Sequence, residues 1–358
     1  MQRLIKKNNI FNSSNNVDLF WQKKAVVSFV LSILVFLLHI HSFDMYEQNS
    51  GMPLACLKLL NVVFTRALGV IAVPLFFVMS GALFFRNYSN KVYFKKIQSR
   101  TKSLIIPYLF WNTLPLISLF IKFILTGDYK SSFGNTNIFL TIFHYESNFV
   151  FWFLFDLIVF VIVSPLIDLL LKNKAVAFLS LTTMIILREF GIQLPESVFF
   201  RGDAIIFYFI GCIIGKYYFD SFCKTDYGKR SKTISIIIFV IFTFCSILIE
   251  YNHIKVFNTL YTVFLLIYIA SFWVISNIVV SKITFYEFYN YSFMIYALHA
   301  KIAVKLSEIL YGLFPKNNYF SIINFFLTVL ITVVLICVIS KLIKRYLPTV
   351  YKFITGSR

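Results

Sequence analysis

Two histidines, His39 and His41, close the apolar stretch LSILVFLLHIHSF, Leu31 to Phe43. Imidazole can take or give a proton near neutral pH, so either ring is a candidate general base. Their spacing separates them. In a helix, residues three, four and seven apart share a face, which puts His39 in line with Lys24, Ser28, Ser32 and Val35. His41, two residues on, points about 160° away and lies at the outer end of the apolar run. The polar lane ending at His39 is either a hydrogen-bonded seam between helices or a path leading to a base.

A second histidine, His299, lies inside YSFMIYALHA (291–300), where it makes either a structural bond or a functional one. The segment VPLFFVMSGALFF (73–85) carries Ser80 and Gly81, small residues that allow close helix approach or access of a ligand to backbone. After it comes KKIQSRTKSLIIPYLFW, with Arg100 seven residues before Pro107 and Lys95, Lys96 and Lys102 nearby. Such a cluster can grip phosphates, or it can simply be a basic loop that orients the chain in a membrane. Trp152 in FVFWFLFDL is a stacking face or part of an interfacial aromatic belt. Arg201 and Asp203 can pair with each other, or Arg201 can hold an anionic group as an outer substrate contact. The five cysteines show no CxxC or Cys/His spacing, so the sequence proposes no metal site and no disulfide framework, only packing.

The elements that must position these groups are helices in lipid. Of 358 residues, 59% are hydrophobic and only 14% charged, and mean hydropathy is +0.79. Soluble domains hold about a quarter of their residues charged, whereas many runs here approach the ~20 residues that cross hydrocarbon. The fold class expected is all-α: a polytopic membrane bundle of ten helices near 25–43, 62–85, 103–125, 149–171, 175–190, 203–219, 233–250, 257–280, 289–311 and 320–343. The +19 charge sits in short loops and forms no single basic face, which argues against nucleic acid and for topology. The basic segments 86–102, 172–174, 216–232 and 341–346 then face the cytoplasm, as do both termini. Residues 1–24 are expected as a cytoplasmic tail, 25–345 as the membrane domain, and 346–358 as a second cytoplasmic tail, with the bilayer of the cell membrane as the chain's surroundings.

The order of His39, PLFFVMSGALFF, Arg100 to Pro107, FWFL at 151–154 and YSFMIYALH resembles the acyltransferase 3 family of integral-membrane O-acyltransferases, over nearly the whole chain. The resemblance implies transfer of an acyl group, usually acetyl from acetyl-CoA, to a hydroxyl of a surface polysaccharide or its lipid-linked precursor. No cofactor is expected to stay bound, acyl-CoA is the co-substrate, the glycan is the acceptor, and polysaccharide-biosynthesis proteins are expected partners. His39 matches the family's catalytic histidine and serves as general base or acyl relay. Arg100, Lys96 and Lys102 attract the donor's phosphates, Ser80 and Gly81 line the donor's tunnel, and Trp152 and Arg201 meet the acceptor. The chain departs from the family at Ser28 and Ser103, where basic residues are usual. The alternative is a non-enzymatic exporter of the polysaccharide or its precursor on the same fold. A glycosyltransferase would want paired outer carboxylates, for which Asp44 and Glu47 are the only candidates.

Overall fold

The computed structural model describes residues 2–40, 54–134, 137–145, 148–192, 201–314 and 318–357. His41, Asp44 and Glu47 lie outside the described residues. Among those described, the regular elements are all helical. In chain order they are α1 (Gln2–Leu38), α2 (Leu54–Asn61), α3 (Ala72–Phe85), α4 (Tyr93–Arg100), α5 (Ile106–Thr126), α6 (Tyr129–Phe133), α7 (Ile138–Phe143), α8 (Trp152–Ile162) and α9 (Ser164–Leu170). There follow α10 (Lys174–Glu189), α11 (Gly202–Tyr217), α12 (Phe219–Phe222), α13 (Lys229–Tyr251), α14 (Asn258–Val280), α15 (Ser292–Leu313), α16 (Asn318–Tyr346) and α17 (Pro348–Thr355).

Among the described residues, each of the ten predicted spans is mainly helical. Six helical stretches among the described residues are individually long and apolar enough to cross a membrane, and α8 with α9 adds a seventh as a pair bent by 66°. That bend follows from Pro165, which cannot donate to the helix running into it and sits at the start of α9. The remaining predicted spans are shorter, as in α10 and α11 with 16 residues each, or interrupted by charge, as in α15 with Lys301, Lys305 and Glu308. Large apolar side chains point outward along the bundle, for example Ile237, Val240, Ile241 and Phe244 of α13, as expected where the surrounding solvent is lipid.

Both predicted tails carry helix. Residues 2–24 are helical and run on without a break into the first span. At the other end, α17 turns back onto the bundle, with Tyr351, Ile354 and Thr355 buried and the Trp111 indole N–H donating to the Ile354 carbonyl at 2.9 Å. Its cap, Gly356, is left-handed at φ 69° and lies against Ser103, where a Cβ would come within 2.6 Å of the Ser103 Cα. The C-terminal segment therefore braces the stretch just after Arg100.

The most extensive contact between helices joins α3 and α11, and it runs on glycine. A Cβ on Gly81 would collide with the Tyr208 carbonyl, one on Gly211 with the Val78 backbone, and one on Gly215 with that of Ala82. Small residues let two backbones approach until van der Waals packing replaces the hydrophobic drive that lipid cannot supply. Two π-helical segments interrupt the regular helices, Val62–Ala67 before α3 and Thr101–Ile105 before α5. Each widens its turn and so rotates the helix beyond it, and such segments occur frequently at functional sites.

Candidate active site

The lane on α1 opens onto a cavity of about 540 Å³ between α1, α3, α8 and α15. Lys24, Ser28, Ser32, Val35 and His39 all line it. The periodicity that aligned those five residues thus describes one wall. Fifteen residues of helix separate Lys24 from His39, so the cavity reaches about 22 Å along the bundle. Arg100 and Leu104 line it near the Lys24 end, while Trp152, Arg201 and Arg66 join His39 among its walls. Within the wall, the Ser32 hydroxyl donates to the Ser28 carbonyl at 2.9 Å, so its polarity is satisfied by its own helix.

His39 sits one residue past the end of α1, where its N–H still donates to the Phe36 carbonyl at 3.0 Å. Its ring packs edge-on against Phe149, with centroids 5.1 Å apart. The His39 Nδ1 lies 3.3 Å from Nε2 of His299, a contact across 260 residues of chain. His299 on α15 is fully buried and packs against Phe36. The two histidines that the sequence offered separately are therefore one unit. Among the described residues no group of three or more metal-ligating side chains gathers, there or elsewhere.

Beside His39, Trp152 carries the Arg201 guanidinium 4.7 Å over its ring. Arg201 also faces Asp203 at 3.6 Å, and its backbone N–H donates to the buried Asp156 carboxylate at 3.3 Å. Arg201 thus pairs with Asp203 and also lines the cavity. Tyr296, another wall residue, is locked by its hydroxyl donating to the Val150 carbonyl at 2.5 Å.

Not all expected residues converge. Ser80 lines the cavity, but Gly81 turns the other way into the α3–α11 contact, because successive helical residues point about 100° apart. Lys96 donates to the carbonyls of Phe84 and Arg86, the latter at 2.9 Å, and so caps the end of α3. Lys102 is exposed and does not line the cavity. Of the predicted basic cluster only Arg100 faces inward, over the Phe84 ring at 5.6 Å.

The family model of an acyltransferase domain, Acyl_transf_3, matches residues 27–341. The chain belongs to the acyltransferase 3 family. No curated protein and no solved structure matches it. Within this acyltransferase 3 chain, the matched residues include His39, His299, Arg100 and every other wall of the cavity except Lys24. With its apolar helices, the protein is a multi-pass membrane acyltransferase. A second cavity, of about 1250 Å³, opens beyond the end of α3 between α1 and α12. It holds no histidine, and its Lys216 is paired with Asp168 at 2.6 Å.

One cationic wall residue of the acyltransferase 3 site, Arg66, escaped the sequence reading. Arg66 sits in the π-helical segment Val62–Ala67, and a cation inside an otherwise apolar run was the available signal. Lys24 was visible as the start of the lane, but its distance from His39 concealed that one cavity would hold both.

Proposed function

We propose that this acyltransferase transfers an acetyl group from cytoplasmic acetyl-CoA to a hydroxyl of a cell-surface polysaccharide or its lipid-linked precursor at the outer face of the cell membrane. The observation that carries the reading is the single cavity with Lys24 and Arg100 near one end and His39 at the other. A CoA thioester carries phosphates far from its reactive carbonyl, so a donor site needs cations and a base separated by a long passage. Arg100 and Lys24 supply the cations. The basic flanks of the spans support a cytoplasmic position for that end by the positive-inside rule.

At the other end, His39 takes the proton of the acceptor hydroxyl as its oxygen attacks the thioester carbonyl carbon. The C–S bond then breaks, and His39 returns the proton to the departing sulfur, giving the ester and free CoA. A positioned base contributes about 10²–10⁴-fold. A relay through an acylated His39 uses the same residue in two steps. Trp152 offers a stacking face for a sugar, and Arg201 an anchor beside it.

The test is the purified protein in vesicles with labelled acetyl-CoA and the host's polysaccharide precursor. Wild type should release CoA and label the glycan, and His39→Ala should lose both by about 10²-fold or more. Glycan movement across the vesicle without CoA release would replace this reading with an exporter built on the same fold.

A further inference from the structure

The contact between the two histidines fixes where their protons lie. A backbone carbonyl can only accept a hydrogen bond. The Nδ1 of His299 stands 3.0 Å from the Ile295 carbonyl and 2.9 Å from that of Tyr296, both from the preceding turn of its own helix. That nitrogen therefore carries the proton. A neutral imidazole has one N–H and one lone pair, which leaves the lone pair of His299 on Nε2. Nε2 faces His39 Nδ1 at 3.3 Å, so His39 must hold its proton on Nδ1 and its lone pair on Nε2. Had His39 been protonated on Nε2 instead, two lone pairs would oppose each other in a site where His299 has no exposed surface.

We infer that His299 is a positioning residue that holds His39 in the Nδ1–H tautomer, so that Nε2 of His39 is the nitrogen that accepts the acceptor's proton. This rests on the base role proposed above for His39. The device does the work that a carboxylate does for histidine in other hydrolases and transferases, but without a buried charge, which suits a fully enclosed position. When His39 becomes an imidazolium, its Nδ1–H bond to His299 becomes charge-assisted and shorter, so the same contact stabilises the state reached after proton transfer. Phe36 against His299 and Phe149 against His39 hold the two rings in place, with centroids 5.4 Å and 5.1 Å away.

Two substitutions separate this role from packing. His299→Phe keeps an aromatic ring in the pocket and removes the acceptor, whereas His299→Gln is smaller but offers an amide oxygen that can accept from His39 Nδ1. The full-length protein in detergent should keep kcat within about tenfold in His299→Gln and lose on the order of 10²–10⁴-fold in His299→Phe, the range a positioned general base contributes. The KM for acetyl-CoA should stay unchanged in both. A His299→Phe protein with normal kcat, or a His299→Gln protein as impaired as His299→Phe, overturns the inference. Nitrogen-15 NMR of histidine-labelled wild type needs no substrate: His39 protonated on Nδ1 supports it, and His39 protonated on Nε2 overturns it. If wild type transfers no acyl group at all, the proposed function fails while the NMR result still decides the tautomer.

Discussion

The cavity invites a blockade midway between its ends. Ser32 lies eight residues from Lys24 and seven from His39, about 12 Å and 10 Å along α1, so it touches neither the donor-side cations nor the base. A volume of about 540 Å³ spread over about 22 Å averages on the order of 25 Å² in cross-section, room for a single extended chain. A phenyl ring at this position closes such a passage. Ser32→Phe should therefore reduce acyl transfer by about 10²-fold or more, as complete as loss of the base, although His39 and His299 are untouched. Ser32→Ala should stay within about threefold of wild type, because the hydroxyl bonds only its own helix. Ser80→Phe approaches the same space from α3 and should reproduce the block. The assay is release of CoA and labelling of glycan by protein that elutes as a single species in detergent. A Ser32→Phe protein that remains folded and transfers at the wild-type rate would refute the idea that the cavity is the donor's route.

Other predictions concern neighbouring parts of the bundle. Arg100→Gln should raise the KM for acetyl-CoA by about 10-fold to 100-fold, the worth of a hydrogen bond to a charged group, whereas Lys102→Gln should leave it unchanged; donor titrations distinguish them. Gly211→Ala puts a Cβ against the Val78 backbone and should destabilise the protein by about 1–3 kcal/mol, seen as a lower melting temperature, while Gly228→Ala, with open space around it, should not. The Lys344 ammonium bonded to Glu287 at 2.6 Å holds that carboxyl below the usual carboxylate range. A depressed folded-state pKa stabilises the protein above the unfolded value and is lost as pH falls through the folded one, so acid should lower the melting temperature of wild type slightly more than that of Glu287→Gln.

Much of the architecture was legible in the chain because lipid imposes a simple rule: backbone polar groups must be satisfied within each segment, so long apolar runs become helices. The ten expected spans are helical for that reason. The wall from Lys24 to His39 was legible too, since a regular helix turns 100° per residue and the lane begins and ends within one helix. The basic cluster could not be resolved from spacing. The open carbonyls at the end of α3 claim Lys96, and of the cluster Arg100 lines the cavity. Gly81 was read as a choice between helix contact and ligand access, and only the position of α11 decides it.

The sequence by itself determined the solvent, the secondary structure, the family and the face of α1 that carries polar groups, because each comes from local composition, helical period or motif order. Tertiary structure alone decided which groups share a cavity. The lone pair of His299 meets the proton of His39 only because α15 packs beside α1, and no periodicity within either helix encodes a contact made 260 residues away.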